Sequence, residues 1–348
     1  MLSIYGAVHL YLWWRLAVPL PSPWFQVTTA LLPVLGVSFP IGVLRGRRLP
    51  RPTRRPLLLV GYMWFGFATY LLLGALASHV AVAAFDLGPQ RAAMFSALAA
   101  LAIVVLGLLT VARGPVVKRV RIPVENLPVA QYTLAHLTDV HIGSLLGREF
   151  AERVVRRVNA LRPELIAITG DLVDGHLSEL RPHIEPLRGL RSRDGVYAVT
   201  GNHEYYWNVE PWLQHLRSLG IQLLRNEHIV LPNGLHLAGT DDSSMDEDVP
   251  GAVAGRDPRR PLVLLAHHPR TVLHARDAGV DVQLSGHTHG GQLLPWGWLA
   301  RIWDPQVAGL GRFGRTWLYV SHGTGFWGPP MRVGTRCEIA LITLVPAG

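Results

Sequence analysis

Apolar positions along this chain of 348 residues change their pattern near residue 112. Before that point they form four long runs, Leu2 to Leu20, Trp24 to Leu44, Leu57 to Phe85 and Arg91 to Val111. Each can supply the ~20 residues that a helix needs to cross a bilayer, which predicts a transmembrane region over 1–112 of about four helices. Arg15 lies inside the first run but close enough to its end for the side chain to reach head groups. Trp13, Trp14 and Trp24 suit an interfacial belt. No basic stretch precedes the first run and further spans follow at once, unlike a cleaved signal.

From Gln131 onward short apolar strands alternate with amphipathic stretches. The strands read as "YTLAHLTD", "ELIAITGD", "GVYAVTGNH", "LHLAGTDD", "LVLLAHH", "VQLSGH", "WLYVSHG" and "CEIALITLV", and helices are expected at "REFAERVVRRVNAL", "VEPWLQHLRSLG" and "PRTVLHARDAG". This alternation predicts an α/β domain over 131–348, joined to the helices by a basic juxtamembrane linker at 113–130. Residues 245–261, "MDEDVPGAVAGRDPRRP", are charged and rich in Gly and Pro and read as a flexible excursion.

Composition sharpens the division. The chain is 49% hydrophobic, and its isoelectric point is near 10.3, yet the charge is unevenly shared. Residues 1–122 hold 12 Lys and Arg against Asp86 alone, whereas residues 123–348 hold 21 Lys and Arg against 23 acids. The soluble half is therefore slightly acidic and offers no electrostatic track for a nucleic-acid backbone. The arginine-rich segments 45–55 and 113–121 flank an even number of spans, which places both, and the soluble half after them, on the cytoplasmic side of the inner membrane. His9 and His79, inside the first and third runs, are expected to pack between helices, with haem ligation as the alternative. Cys337 is the sole cysteine, so neither an intrachain disulfide nor a thiolate metal cluster can form.

Polar residues of the soluble half gather at strand ends. Asp139 and His141 follow the first strand, Asp171 the second, Asn202 and His203 the third, His267 a later one, and His287 and His289 the next, in "GHTHGG". In open α/β sheets ligands bind at the carboxyl ends of the strands, so these side chains should converge. Oxygen and imidazole donors without sulfur suit manganese, iron or zinc. The donors exceed the needs of one ion, whereas two ions sharing a carboxylate would use them all.

The ordered blocks "DVH", "GDLVD", "GNHE", "AHH" and "GHTHGG" resemble those of calcineurin-like metallophosphoesterases, and the extended "GHTHGGQ" and "GNHEYY" look like the bacterial membrane-associated branch. The resemblance covers nearly all of 131–345. It implies a four-layer α/β/β/α sandwich of two mixed sheets, and two divalent or trivalent ions, manganese foremost, with iron or zinc as alternatives. On the matching positions Asp139, His141 and His289 would hold one ion, Asn202, His267 and His287 the other, and Asp171 would bridge. His203 would stabilise phosphoryl charge or protonate the leaving oxygen, making it the catalytic residue of the set. The implied reaction is attack of a metal-bridging hydroxide on a phosphoester or pyrophosphate bond. His268, Asp174 and Glu204 are expected beside the site as packed or hydrogen-bonded neighbours.

The substrate is less constrained. Residues 293–315, "LLPWGWLARIWDPQVAGLGRFGR", carry Trp296, Trp298, Trp303 and Phe313, which either pack beneath the sheet edge or form an apolar lip for a lipid tail, with Arg301, Arg312 and Arg315 near its head group. His322, Arg312 and Trp296 are the expected substrate contacts, and a phospholipid or lipid-linked phosphoester is the substrate this favours. A nuclease or nucleotide phosphodiesterase of the same superfamily, and a non-catalytic membrane sensor, are the alternatives; the charge of the soluble half opposes nucleic acid, and the intact donor set opposes a sensor.

Overall fold

The apolar runs become helices in the computed structural model, which describes residues 2–46 and 49–348. Arg47 and Arg48, part of the first arginine-rich segment, lie outside the described residues. Helix α1 (Leu2–Leu12, 11 residues) continues through a wide π-type turn of five residues, Trp13–Ala17. Pro19, Pro21 and Pro23 then withhold the backbone N–H groups that would prolong it. Among the described residues three helices, not four, are long and apolar enough to cross a membrane: α2 (Trp24–Gly46), α3 (Arg51–Phe85) and α4 (Pro89–Ala112).

Several polar groups among these helices are paired within them. His9 Nδ1 lies 2.8 Å from the Tyr5 carbonyl, and Trp64 donates to His9 Nε2 at 2.9 Å, so both ring nitrogens serve helix packing and not haem. His79 pairs with the Tyr11 hydroxyl, and Arg15 donates to Ser78 at 2.6 Å. Residues 328–333, from the stretch expected in the soluble domain, belong to this first unit. Met331 packs on Gly66, where a Cβ would press on its Sδ and Cε, and lies beside Gly107, and the Arg332 N–H donates to the Gly107 carbonyl.

The second unit comprises 114–327 and 334–348. Its first strand, β1 (Val116–Val124), lies within the expected linker. Ile122 and Val124 are buried while Arg119, Arg121 and Pro123 between and before them are exposed, the period-two pattern of an edge strand that tolerates proline. The remaining strands are β2 (Tyr132–Leu137), β3 (Ile142–Gly143), β4 (Leu165–Thr169), β5 (Val173–Asp174), β6 (Val196–Val199), β7 (Ile221–Leu223), β8 (Glu227–Val230), β9 (His236–Gly239), β10 (Leu262–Leu265), β11 (Val282–Ser285), β12 (Gly309–Phe313), β13 (Thr316–Val320) and β14 (Glu338–Pro346).

Two mixed six-stranded sheets result, in the orders β1-β14-β2-β4-β6-β7 and β12-β13-β11-β10-β9-β8, with β3 and β5 as a separate parallel pair. In the first sheet β2, β4, β6 and β7 run parallel and β14 is antiparallel to β2. In the second β9, β10, β11 and β13 run parallel, flanked by antiparallel β8 and β12. The sheets face each other across one apolar core, to which Leu134, Leu165 and Ala167 contribute from one side and Val263, Leu265 and Leu284 from the other. Leu262 and Leu264 alternate with those inward residues and pack outward with Ala275 of α10 (Val272–Asp277) and Val249 of α9 (Val249–Val253). Helix α5 (Arg148–Ala160) buries Phe150, Val154 and Val158, α6 (Leu177–Ile184) buries Leu180 and Ile184, and α8 (Val209–Ser218) buries Trp212, Leu213 and Leu216. The four-layer α/β/β/α sandwich is thus present. Helix α9 occupies five residues inside 245–261, the stretch expected to be a flexible excursion. Asp248 caps it by accepting from the Gly251 N–H, which gives a charged, Gly-rich sequence a local reason to turn helical.

Candidate metal centre

Strands β2, β4 and β6 of one sheet and β10 and β11 of the other all end at the same edge. Asp139, His141, Asp171, Asn202, His267 and His289 are buried there, and His287 is partly so. The approach of the two sheet edges depends on glycine. A Cβ at Gly201 would strike the Asp171 carboxylate, and one at Gly286 would strike the Asp139 carboxylate and the Thr138 hydroxyl. Asp139, His141, Asp171, His287 and His289 all have φ between 49° and 67°. This left-handed region is costly for most side chains but tolerated by Asp and His. Such strain persists where the surroundings over-determine it, as at a site built to hold a ligand.

The donors form the groups that a metal would need. Asp139, His141 and His289 offer ligand atoms within 4.8 Å of one another, as do Asp139, Asp171 and His267. His141 Nε2 lies 3.1 Å from His289 Nε2, and His287 Nδ1 lies 3.3 Å from His267 Nε2, so pairs of imidazole nitrogens face each other. The buried Asn202 Oδ1 has no hydrogen-bond donor. A buried acceptor without a donor, facing imidazoles and two carboxylates packed together describe a site that fits cations. His267 Nδ1 lies 2.7 Å from the Thr169 carbonyl, which fixes its tautomer and turns Nε2 toward Asp171 Oδ2, 3.3 Å away.

Electrostatics agree with that fit at His141 and His287, whereas at His267 burial is outweighed by the charges of Asp171 and Asp139, which raise its pKa well above the usual imidazole value. Burial, with the Asp171 charge adding to it, pushes Asp139 up to about 6. Burial would raise Asp171 too, but the His267 charge and hydrogen bond hold it well below the usual carboxylate range. Burial lowers His141 to about 4 and His287 to about 3, keeping both imidazoles neutral, the form that binds a metal.

His203 and its neighbours form a second tier. Helix α7 (Asn202–Tyr206) starts at the end of β6, and the His203 N–H donates to Asp171 Oδ1 at 2.9 Å. The His203 ring is fixed by Asp174, whose Oδ1 is 3.3 Å from Nδ1 and accepts from Trp207 at 3.0 Å. Burial depresses the His203 pKa, but the Asp174 hydrogen bond and the charges of Asp171 and Asp174 outweigh this and raise it. Its Nε2, 3.9 Å from Asp171 Oδ2, can therefore present a proton. His203 also falls in a ligand-spaced group with His141 and Asp171, and His268 in another with His267 and His287. His268 packs on His287 with ring centroids 3.8 Å apart, and its Nε2 lies 3.2 Å from Asp242 Oδ2.

Glu204 is fully enclosed. Its carboxylate accepts from the backbone N–H groups of Gly201, Asp171, Leu172 and Val173. It thereby locks the turn that carries Asp171 against the start of α7. Glu204→Gln replaces one acceptor oxygen by a donor, leaving at least one of these N–H groups facing an NH2. The expected outcome is a loss of about 1–3 kcal/mol of stability, read as a lower thermal midpoint of the detergent-solubilised chain. An unchanged midpoint would remove this role.

The expected substrate contacts separate. The His322 N–H donates to Glu338 Oε1, its Nδ1 lies 3.3 Å from Glu338 Oε2, and its ring lies against Gly290, beside His289. Trp296 begins α11 (Trp296–Ala300) on the turn after the histidines and is exposed. Arg312 is not at the site. Strand β12 runs antiparallel to β13, so Arg312 pairs with Trp317 at the opposite end of the sheet and stacks over its ring at 5.1 Å. Arg315 is likewise there, paired with Asp281 at 2.9 Å. Asp242, Asp241 and Glu338 escaped the sequence reading although the first two end the strand "LHLAGTDD". Asp241 is tied to Thr200, Tyr205 and Arg225, and so braces the start of α7.

Residues 132–291 match the calcineurin-like phosphoesterase family. A transmembrane protein with metallophosphoesterase domain from Bos taurus is 41% identical over 266 residues, covering 70% of this chain and 60% of its own length. Its counterpart in Danio rerio is 38% identical, over 75% of this chain and 64% of its own length. The chain therefore spans less than two thirds of the length of these relatives. An uncharacterized metallophosphoesterase from Aquifex aeolicus (strain VF5) is 32% identical over 67% of this chain and 92% of its own length.

Proposed function

Since the chain belongs to the calcineurin-like metallophosphoesterases, we propose that it is a membrane-anchored hydrolase of a phosphoester or pyrophosphate bond that works with two transition-metal ions. The observation that carries this reading is the convergence of Asp139, His141, Asp171, Asn202, His267, His287 and His289 at one edge of two sheets, with carboxylates and imidazoles facing one another. In this reading Asp139, His141 and His289 hold one ion, Asn202, His267 and His287 the other, and Asp171 both. When bound, the ions acidify water for in-line attack on phosphorus and neutralise phosphoryl charge. Manganese is the ion proposed, with iron and zinc as the alternatives that the same donors accept.

The chain's own groups do the rest. His203, its pKa raised and its ring held by Asp174, stands where it can bind a phosphoryl oxygen and deliver a proton to the departing oxygen. His267 is kept in one tautomer by the Thr169 carbonyl. His322, held by Glu338 beside Gly290, contacts the substrate from the side of His289. The test is a panel of p-nitrophenyl mono- and diesters, nucleotides and phospholipids, assayed on chelated protein with manganese, iron, zinc or magnesium restored. Hydrolysis that depends on added metal, with close to two ions bound at saturation, is expected; hydrolysis surviving complete chelation would overturn the reading.

The reading also assigns orientation. The arginine-rich segments 45–55 and 113–121 put the catalytic unit on the cytoplasmic side of the inner membrane. A green fluorescent protein joined after Gly348 should fluoresce in cells, and an alkaline phosphatase at the same place should be inactive. The reverse pair of results would overturn the orientation.

A further inference from the structure

Residues 293–303 contain no acid, and five large apolar side chains in eight residues stand in the open. Trp298 is 66% exposed, Ile302 69% and Trp303 62%, with Trp296 and Leu299 close to half exposed. The choice between packing beneath the sheet and forming a lip thus falls to the lip for these residues. A contiguous apolar patch of this kind on an otherwise polar domain marks a place where something apolar docks.

The patch is built onto the metal centre. Helix α11 rests backbone to backbone on the turn after His289: a Cβ at Gly291 would collide with the Gly297 Cα. The far end is tied to the other histidine turn, because Arg270, two residues beyond His268, donates to the Trp303 carbonyl at 2.6 Å. On the side of His203 the rim is again aromatic and exposed. Tyr206 and Trp327 lie with ring centroids 5.1 and 6.0 Å from the His203 ring. Trp327 is clamped by Gln292, which accepts from its N–H and donates to its carbonyl.

We infer that the face formed by residues 296–303 seats in the interfacial layer of a lipid bilayer, and that the site takes its phosphoester from a lipid presented there. A bilayer is the occupant that the chemistry selects. Three tryptophans with Arg301 among aliphatic residues have the composition of a membrane interface, and Arg301 and Arg270 complement an anionic head group. The same chain carries three helices of membrane-crossing length, which keep a bilayer at hand. The inference rests on the phosphoesterase reading for its chemistry but not for its docking.

The test uses the full chain in nanodiscs of phosphatidylglycerol and phosphatidylcholine. Cys337 is buried, so Ile302→Cys can be labelled selectively with an environment-sensitive nitrobenzoxadiazole probe, with the unsubstituted chain as the labelling control. Nitroxide lipids should quench that probe and aqueous iodide should not; strong iodide quenching with no effect of the nitroxide lipids overturns the docking. In the same nanodiscs, the Trp298→Ser, Ile302→Ser double variant should hydrolyse bis-p-nitrophenyl phosphate within about twofold of the parent and phosphatidylglycerol or phosphatidic acid about tenfold more slowly. Equal loss on soluble and lipid esters, or no lipid hydrolysis by a parent that cleaves the soluble ester, overturns the lipid substrate while leaving the phosphoesterase reading intact. A parent that cleaves none of the esters with any metal overturns the phosphoesterase reading and the lipid substrate together, and the quenching still decides the docking.

Discussion

Asp171→Asn is expected to strip the protein of most of its bound metal and to reduce turnover by more than any other single substitution at the site. Its carboxylate lies close to donors of both groups, 3.8 Å from His141 Nε2 and 3.3 Å from His267 Nε2. A residue that only orients a ligand typically costs about 10- to 100-fold in metal affinity when changed, and loss of a carboxylate shared by two ions should exceed that. Asparagine is the informative replacement because Asp171 sits at φ 53°. Asn tolerates that left-handed backbone and keeps an acceptor for the His203 N–H, whereas Ala would add strain to the loss of charge. Asp171→Ala should therefore lose as much metal and also show a lower thermal midpoint. Metal analysis of folded, saturated Asp171→Asn that returned close to two ions would show that Asp171 does not bridge.

The candidate metal residues were legible before the fold because two demands act on several of them. A β-strand must end where Asp139, Asp171 or His287 stands, and a glycine must precede Asp171, Asn202 and His287 so that neighbouring strand ends can approach. Short motifs record both demands in adjacent letters. Strand β1 was hidden for the opposite reason: in "VVKRVRIPV" the charges of an edge strand's open face look like a linker, and its partner β14 is more than 200 residues away. Long-range pairing leaves no local trace. Arg312 was misplaced because proximity to the histidines in sequence says nothing about which way a strand runs, and β12 carries it away from them. The first apolar run forms a shorter helix than its hydropathy suggests, because hydropathy alone does not register that three prolines end it. Glu204 lay in plain view, but a carboxylate that collects four backbone N–H groups cannot be told from a solvated one until the turns it joins are known.

His203→Ala should separate chemistry from metal binding. The geometry permits both roles, since His203 shares a ligand-spaced group with His141 and Asp171 while its ring is anchored by Asp174. An imidazole whose Nδ1 is held by a carboxylate and whose pKa is raised is suited to hand a proton to a leaving oxygen. The variant should accordingly bind close to the parental amount of metal while its turnover falls by a factor of about 10² or more. The loss should be greater for esters of poorly leaving alcohols than for p-nitrophenyl esters, whose leaving oxygen needs little protonation. Asp174→Asn should follow the same pattern more weakly, because it leaves the ring in place but removes the charge that keeps it protonated. An equal loss on both kinds of ester would assign His203 to phosphoryl charge stabilisation alone. A collapse of metal content together with activity would make it a ligand, and the proton-donor assignment would fall with it.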